Sequence, residues 1–481
     1  MATASLPDPN RPVPLTAFER RFRHPPGLVL LFFTEMWERF SYYGMRGLLK
    51  LYMANYLFVT AREALQGCRQ KTPPCALVPG DPNHVLLWDF LRGLLPPNPQ
   101  EQASLLYGAY TALTYATPFI GGIVADRWLG QRRSVVVGAL LMAAGHFAMA
   151  IQDSFFFALM LIILGSGAFK PNIATQVGNL YAPGDPRRDG AFTVFYMGIN
   201  LGAFLSNLVC GTLAAIYGWH VGFGAAGVGM LLGLGVYLSA QKLLAPDHLT
   251  RVRAERHTEP AELSHDERRR VIALVALCAL NIVFWAVYEQ QGNTMQSWAD
   301  ERTHWPSVLG FSIPSTWFQS FNPLIIILVA PLLDLFWAHQ QRRGREPSSV
   351  AKMALGCTLL GLSFVVMIVG AQVIGSGKGS MLWLLSCTFL LTIGELYLSP
   401  VGLSLVTKVA PARIVSMMLG MWFLSSFVGN FLSGAIGVLY TRWSPEAFFA
   451  LLTALGVGTG LAIRAFNKPL RGALERSDPS A

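Results

Sequence analysis

The sequence predicts an all-α integral membrane protein of twelve transmembrane helices arranged as two six-helix bundles. Three observations carry this. Of the 481 residues, 53% are hydrophobic and only 13% charged, against about 25% charged in a soluble globular chain. Apolar runs recur at about 20 residues, the length that a helix rising about 1.5 Å per residue needs to cross about 30 Å of hydrocarbon. A polar stretch rich in Arg, Glu and His, residues 244–270, divides six such runs from six. Sheet-type alternation is absent, which argues against a barrel.

Taken in order, the spans are 27–57, 102–125, 134–151, 155–181, 190–214, 221–243, 271–298, 315–338, 350–373, 380–408, 412–439 and 446–466. Basic residues cluster in alternate connections: Arg11, Arg20, Arg21 and Arg23 before the first span, Arg127, Arg132 and Arg133 after the second, Arg187 and Arg188 after the fourth. The pattern continues with Lys242 through Arg270, then Arg342, Arg343 and Arg345, and Arg464 through Arg476 at the end. Positive-inside bias assigns these loops, and both termini, to the cytoplasm. The net charge of +10 is then largely topogenic and is no argument for nucleic acid.

The chain accordingly divides into a cytoplasmic tail 1–26, a first bundle 27–243 with a long extracytoplasmic loop 59–100, a cytoplasmic linker 244–270, a second bundle 271–466 and a cytoplasmic tail 467–481. The first apolar segment is too long and too charged for a signal peptide, so it is expected to stay as a membrane segment. Cys210, Cys278, Cys357 and Cys387 fall in apolar helices as small packing residues. Cys68 and Cys75 fall in the long outer loop, where a local disulfide is plausible but unforced.

The two halves share a feature. "GGIVADRWLGQRR" closes the second span with Asp126 and several arginines, and "APLLDLFWAHQQRRG" closes the eighth with Asp334 and several more. A carboxylate beside a basic cytoplasmic turn suits a gate locked by ion pairs; a solvated turn obeying the charge bias explains either loop alone. The small-residue runs "GAIGVLY" and "FGAAGVGMLLGLG" suit close helix packing. No GxxxxGK[ST] loop is present, so a carrier built this way needs an ion gradient.

The first span carries an unusual load of charge in "TEMWERFSYYGMRGLLK". At about 100° per residue, Glu35, Arg39, Tyr42 and Arg46 share a stripe about 60° wide, with Lys50 at its edge and Glu38 beside it, and the stripe is expected to face one cavity. An ionised side chain at the bilayer centre costs at least about 2.5 kcal/mol on insertion scales, so these groups need partners or water. A purely structural salt-bridge ladder would also place charges here, but apolar residues pack a helix at less cost.

Further polar residues stand in other spans: Lys170 before Pro171 in "GSGAFKPNIATQVGNLY", Glu289 in "NIVFWAVYEQQGN", Glu395 in "LTIGELYLSPVGLS", Asn200 in "FYMGINLG" and Asn322 in "FQSFNPLIII". Cations thus come from the first half and carboxylates from the second. A site between them suits a zwitterion whose ammonium and carboxylate are several ångströms apart, with Tyr43, Tyr115, Trp285 and Trp422 as candidate walls.

These residues carry a resemblance. "EMWERFSYYG" resembles the ExxERFxYYG signature of the proton-dependent oligopeptide transporters, a branch of the major facilitator superfamily, and "FYMGINLG" resembles their FYxxINxG signature. "GGIVADRWLG", "FKPNIATQVGNLY", "FWAVYEQ", "FNPLIII" and "GELYLSPVGLSLVTKVAP" follow in the expected order, so the resemblance runs from about residue 27 to residue 466.

The resemblance implies roles. Glu35, Glu38 and Arg39 occupy the ExxER positions tied to proton coupling, with Lys170 communicating with them and able to pair with Glu395. Arg39, Tyr43 and Lys170 match positions that hold a peptide carboxylate. Asn200, Asn322 and Glu395 match those near its amino end, and Tyr115, Trp285 and Trp422 match pocket walls. Arg46 and Glu289 match an extracellular-side pair that makes and breaks with protonation; together with Asp126 of the repeated basic turn described above, the expected gate comprises Arg46, Glu289, Lys170, Glu395 and Asp126.

Two departures stand out. Animal relatives carry a proton-linked His on the second helix where this chain has Gly108, and the linker 244–270 is too short and polar for the two extra helices of many bacterial relatives. The expected function is proton-coupled import of di- and tripeptides across the plasma membrane, for a bacterium the inner one, by a carrier working as a monomer among lipids. The proton is the coupling ion, and no cofactor, metal or nucleic acid is called for. A carrier of nitrate or another small anion is the alternative; a receptor lacks an output module here, and an enzyme lacks a catalytic constellation.

Overall fold

The structure, a computed structural model, describes residues 22–59, 93–182, 185, 187–245, 264–308, 310–411 and 414–474. The expectations for Arg11, Arg20, Arg21, Cys68 and Cys75, and for most of loop 59–100 and of the linker, concern residues outside these. Among the described residues twelve long helices follow one another: α1 Pro26–Tyr52, α2 Pro99–Val124, α3 Gln131–Ala148, α4 Phe155–Asn179, α5 Arg187–Tyr217, α6 Trp219–Ser239, α7 His265–Tyr288, α8 Phe321–Arg342, α9 Ser349–Ile374, α10 Leu382–Val409, α11 Val415–Arg442 and α12 Pro445–Leu474.

Local chemistry sets several ends. Asn98 caps α2, its side chain accepting from the Gln100 amide, and Pro99 occupies the first turn where no N–H is needed. Ser264 and Glu267 close a capping box at the start of α7. Gly130 and Gly218, with φ of 77° and 97°, make the sharp α2–α3 and α5–α6 turns that residues with a Cβ rarely adopt. α4 runs unbroken through Pro171.

Among the described residues, α4 through α12 are long and apolar enough to cross a membrane. α1 is not, because it carries the five ionisable groups, and α3 opens on Gln131, Arg132 and Arg133 in only 18 residues. All twelve nonetheless form one antiparallel array, each helix starting where its predecessor ends. One face of the array, the chain-end side of the described residues, carries the start of α1 and the end of α12; the opposite, or far, face carries the end of α1 and the start of α2.

Each half has its own hydrophobic core. Leu31, Phe169, Phe223 and Tyr237 belong to the first, and Trp298, Phe318, Phe364 and Phe448 to the second. α1 packs on α5 and α6 in the first half, α9 on α10 and α12 in the second. The halves meet mainly where α2 lies on α11 and α5 on α8. This is the six-plus-six arrangement expected. Cys210, Cys278, Cys357 and Cys387 are buried free thiols inside these cores. After α7, a short helix Thr294–Glu301 and a 3-10 turn Ser315–Ser320 cover the far face, together with two small strand pairs, β1 Thr303–His304 with β4 Gly379–Ser380, and β2 Ser307–Val308 with β3 Phe311–Ser312.

Candidate functional site

α1 supplies most of the charge. Arg39 Nε lies 2.9 Å from Glu35 Oε1 and also pairs with Glu38 Oε2. One guanidinium is thus divided between two buried carboxylates, and Glu35 Oε2 and Glu38 Oε1 have neither a hydrogen bond nor an ion pair among the described residues. Buried carboxylate oxygens left this way are costly as anions and are natural places for a proton. The Tyr42 ring lies against two cations, with Lys170 Nζ of α4 at 4.2 Å and Arg39 Cζ at 5.4 Å from its centroid. Its hydroxyl shares a 3.2 Å hydrogen bond with Thr114 Oγ1 of α2.

One turn along α1, Arg46 crosses to the other half. It forms an ion pair with Glu289 at the end of α7, and its Nε donates to the Tyr107 hydroxyl at 2.7 Å. Glu289 is 2% exposed, so the carboxylate of this pair is buried, while Arg46 also borders the space between the halves.

The second half presents one more carboxylate. The Tyr288 hydroxyl and Asn322 Nδ2 both donate to Glu395 Oε2, at 2.8 and 2.9 Å. Asn322 Nδ2 also donates to Thr392 Oγ1 at 3.0 Å, which fixes the amide. Glu395 Oε1 receives no hydrogen bond among the described residues, and Glu395 lines a cavity between the halves.

Tyr43, Arg46, Tyr115 and Asn200 line that cavity from the first half; Trp285, Glu289, Asn322 and Glu395 line it from the second. The Tyr115 and Trp285 rings face each other across it with centroids 6.4 Å apart. The expectation that the whole α1 stripe faces one cavity needs correction. Glu35, Glu38 and Arg39 are buried within the first half, and Lys170 reaches the cavity only as far as the Tyr115 ring, 5.9 Å from its centroid. Trp422 is 4% exposed and seated against Gly402 of α10, so it supports the second half without lining the space.

Two further expected contacts are absent. Lys170 and Glu395 are not paired, each being engaged within its own half. Asp126 and Asp334 are exposed and make no ion pair among the described residues. The reason is common to both: the halves are tied together on the far side of the cavity.

There the ties are numerous. Asn55 Nδ2 donates to Asp300 Oδ2 at 3.1 Å, Gln100 Nε2 to Glu301 Oε1 at 3.0 Å, and Trp317 Nε1 to Thr212 Oγ1 at 3.0 Å. Arg442 donates from Nε and NH2 to Glu101 at 3.0 and 2.6 Å, with the Thr441 hydroxyl donating at 2.9 Å. α2 and α11 touch backbone to backbone at Gly108 and Gly434, where a Cβ on Gly108 would stand 2.6 Å from Gly434 Cα. Among the described residues, no hydrogen bond or ion pair joins the halves on the side of the chain ends.

Sequence reasoning missed Tyr196, Tyr288, Gln291, Gln319 and Ser399 as cavity walls. Helical spacing held the signal for four of them. Tyr288 is three residues after Trp285, Gln319 three before Asn322, Tyr196 four before Asn200 and Ser399 four after Glu395, so each shares a face with a residue already singled out.

The sequence and the fold are similar to those of known proteins. The model of the POT family matches residues 132–249 and 247–451. The peptide transporter YePEPT of Yersinia enterocolitica subsp. palearctica is 35% identical over 484 residues, covering 86% of this chain and 88% of its own. A di-/tripeptide transporter of Lactococcus lactis subsp. cremoris is 32% identical over 512 residues, covering 93% and 96%. Among solved structures, the peptide transporter POT in complex with sulfate superposes with a TM-score of 0.80 at 33% identity, covering 96% of this chain and 98% of the other. A mutant of that transporter in complex with alafosfalin gives 0.78 at 34% identity with the same coverage.

Proposed function

The chain belongs to the POT family of transporters, and from that premise we propose that it is a proton-coupled symporter importing di- and tripeptides by alternating access. One observation carries the reading: the Glu395 carboxylate, oriented by Tyr288 and Asn322, is presented to an inter-half cavity that Arg46 reaches from the other side. Such a cavity matches a short zwitterionic peptide. A nitrate or other small-anion carrier would not keep a carboxylate at this place, where it repels the cargo.

In this reading the face of the chain ends is cytoplasmic and the far face external, in keeping with the basic loops, and the conformation described is inward-facing. Di- and tripeptides of varied side chain fit a space walled by Tyr115, Trp285, Tyr196 and Ile326 and fixed by few charged groups. The peptide ammonium meets Glu395, Asn322 and Asn200. Its carboxylate meets Tyr43 and Arg46, with Arg39 and Lys170 supplying positive potential from behind Tyr42. Protonation of Glu289 releases Arg46 and unties the far side; protonation of Glu35 or Glu38 neutralises the surplus carboxylates around Arg39. The proton supplies the coupling, the plasma membrane the setting, and a single chain holds the whole site.

The test is uptake of a labelled dipeptide by purified protein in vesicles under an inward proton gradient, with nitrate, free amino acids and tripeptides as competitors. Dipeptide uptake that collapses with the gradient and is competed by tripeptides supports the reading. Competition by nitrate alone overturns the cargo.

A further inference from the structure

Lys50 has no part in the scheme above, and its surroundings are unusual. It stands on α1 one turn beyond Arg46, toward the far face, and is 1% exposed, a lysine enclosed as completely as any core residue. Its Nζ donates to the Gln100 carbonyl at 2.8 Å and to Ser104 Oγ at 2.9 Å, both on α2. No carboxylate lies within ion-pair distance of it among the described residues.

The donor count matters here. An ammonium has three N–H groups and a free amine two. Two acceptors are present, and both are neutral. Ser104 Oγ spends its own proton on the Gln100 carbonyl at 2.9 Å, so it faces Lys50 as an acceptor. The pocket in the closed gate is therefore complete for a neutral amine and incomplete for an ammonium, whose third donor and full charge would be buried unmatched.

The lid over this pocket is the gate itself. Gln100 holds Glu301 of the short helix, and its Oε1 accepts from Ser297 Oγ at 3.3 Å. Ser104 is packed against α11, where a Cβ on Gly437 would stand 3.0 Å from Ser104 Cβ. Moving the second half away from α2 thus unroofs Lys50 to the far side.

Resting on the alternating-access reading, we propose that Lys50 is a second proton-linked group of this carrier, placed at the outer gate. It is an ammonium while the gate is open to the outside. As the gate closes, the N–H bond of one donor breaks, the electron pair stays on nitrogen and the proton leaves to external water; reopening takes a proton back from the same side. No net proton crosses the membrane by this route. Acid outside therefore opposes closure through Lys50, in the same direction as its untying of the Arg46–Glu289 pair.

The charged groups around Lys50 are already engaged or shared. Arg46 below it is paired with Glu289 beside Tyr107; Glu101 is held by Arg442; Asp300 accepts from Asn55. Glu301, the carboxylate nearest in the network, also faces Asp300, Arg302 and Lys378. The difference between wild type and a variant changed only at Lys50 isolates its proton from theirs.

The experiment uses full-length protein with Cys68 and Cys75 replaced by serine and spin labels on Asp153→Cys and Ala447→Cys, exposed far-face positions on opposite halves. Label distances give the open-to-closed ratio as the pH is lowered. One proton released on closure makes that ratio rise about tenfold more per pH unit in wild type than in Lys50→Met over the range where Lys50 titrates. Lys50→Arg, which keeps its charge, stays open at alkaline pH where wild type closes. Equal pH slopes in wild type and Lys50→Met, or an arginine variant that closes like wild type, overturn the proposal. Dipeptide counterflow on the same samples reads the carrier function separately: its absence in wild type defeats the transport reading, while the distances still decide whether Lys50 is linked to the gate.

Discussion

Arg46 and Glu289 are paired across the two halves of the molecule, and the same guanidinium donates from Nε to Tyr107, so one α1 side chain joins three helices at the top of the cavity. Breaking a buried pair by removing one partner typically costs about 3–5 kcal/mol, because the other charge is left enclosed. Glu289→Gln keeps an acceptor for Arg46 and removes only the charge. This variant is expected at the lower end of that range in thermal unfolding, to lose gradient-driven uptake by at least about tenfold, and to keep counterflow exchange. Wild-type dependence on the gradient in this variant would remove Glu289 from the coupling.

Gly108 and Gly434 bring the α2 and α11 backbones into contact on the far side, and the atoms a new Cβ would meet are backbone atoms that cannot rotate away. Any side chain at residue 108 is therefore a wedge in the closed gate. Gly108→Val is expected to shift the protein toward the outward-open state, lengthening far-face label distances and reducing uptake, while Gly122→Ala, with no atom within 4 Å of the new methyl, leaves both unchanged. A closed gate in Gly108→Val would show that the helices separate there without consequence.

Gly108 also shows what the sequence makes legible. Its place on the second helix is readable, and the histidine of animal relatives is visibly missing, but the cause is a contact with Gly434, more than three hundred residues away, that no periodicity reports. The helices were readable because hydrocarbon imposes one length and one polarity on each. Glu395, Asn322 and Arg46 were readable because a polar group in such a helix needs a reason to be there. The depth of a side chain was not: Arg39 and Arg46 share a stripe, yet Tyr42 and Tyr43 screen the first while the second lines the cavity. Nor was the conformational state, which is why Lys170 and Glu395 are unpaired, although the resemblance allows their pairing.

Glu395 keeps Oε1 free toward the cavity while Tyr288 and Asn322 hold Oε2. A charged hydrogen bond to a peptide ammonium is worth about 1.5–3 kcal/mol, or about ten- to a hundredfold in affinity. Glu395→Gln is expected to weaken dipeptide binding by that factor. Acetylation of the peptide amine should weaken binding to wild type by a similar factor and add little in the variant. Independent, additive losses from the mutation and the acetyl group would separate Glu395 from the amino end.

Tyr42 is placed between the charges of α1 and α4, its ring 4.2 Å from Lys170 Nζ and its hydroxyl on Thr114. A desolvated cation–π contact is worth about 2 kcal/mol, more than a typical neutral hydrogen bond at about 1 kcal/mol. The ring should therefore matter more than the hydroxyl. Tyr42→Phe is expected to retain most gradient-driven uptake, because it keeps the face that holds Lys170 beside Tyr115. Tyr42→Leu removes that face and frees the ammonium to seek Glu35 Oε2 or Glu38 Oε1, buried acceptors that Arg39 leaves unpaired. Such a shift would neutralise the surplus carboxylates without a proton. The leucine variant should then bind peptide but lose the dependence of uptake on external acidity, read as uptake against pH at fixed dipeptide concentration. If Phe and Leu impair transport equally, the Thr114 hydrogen bond and not the ring is what positions Lys170.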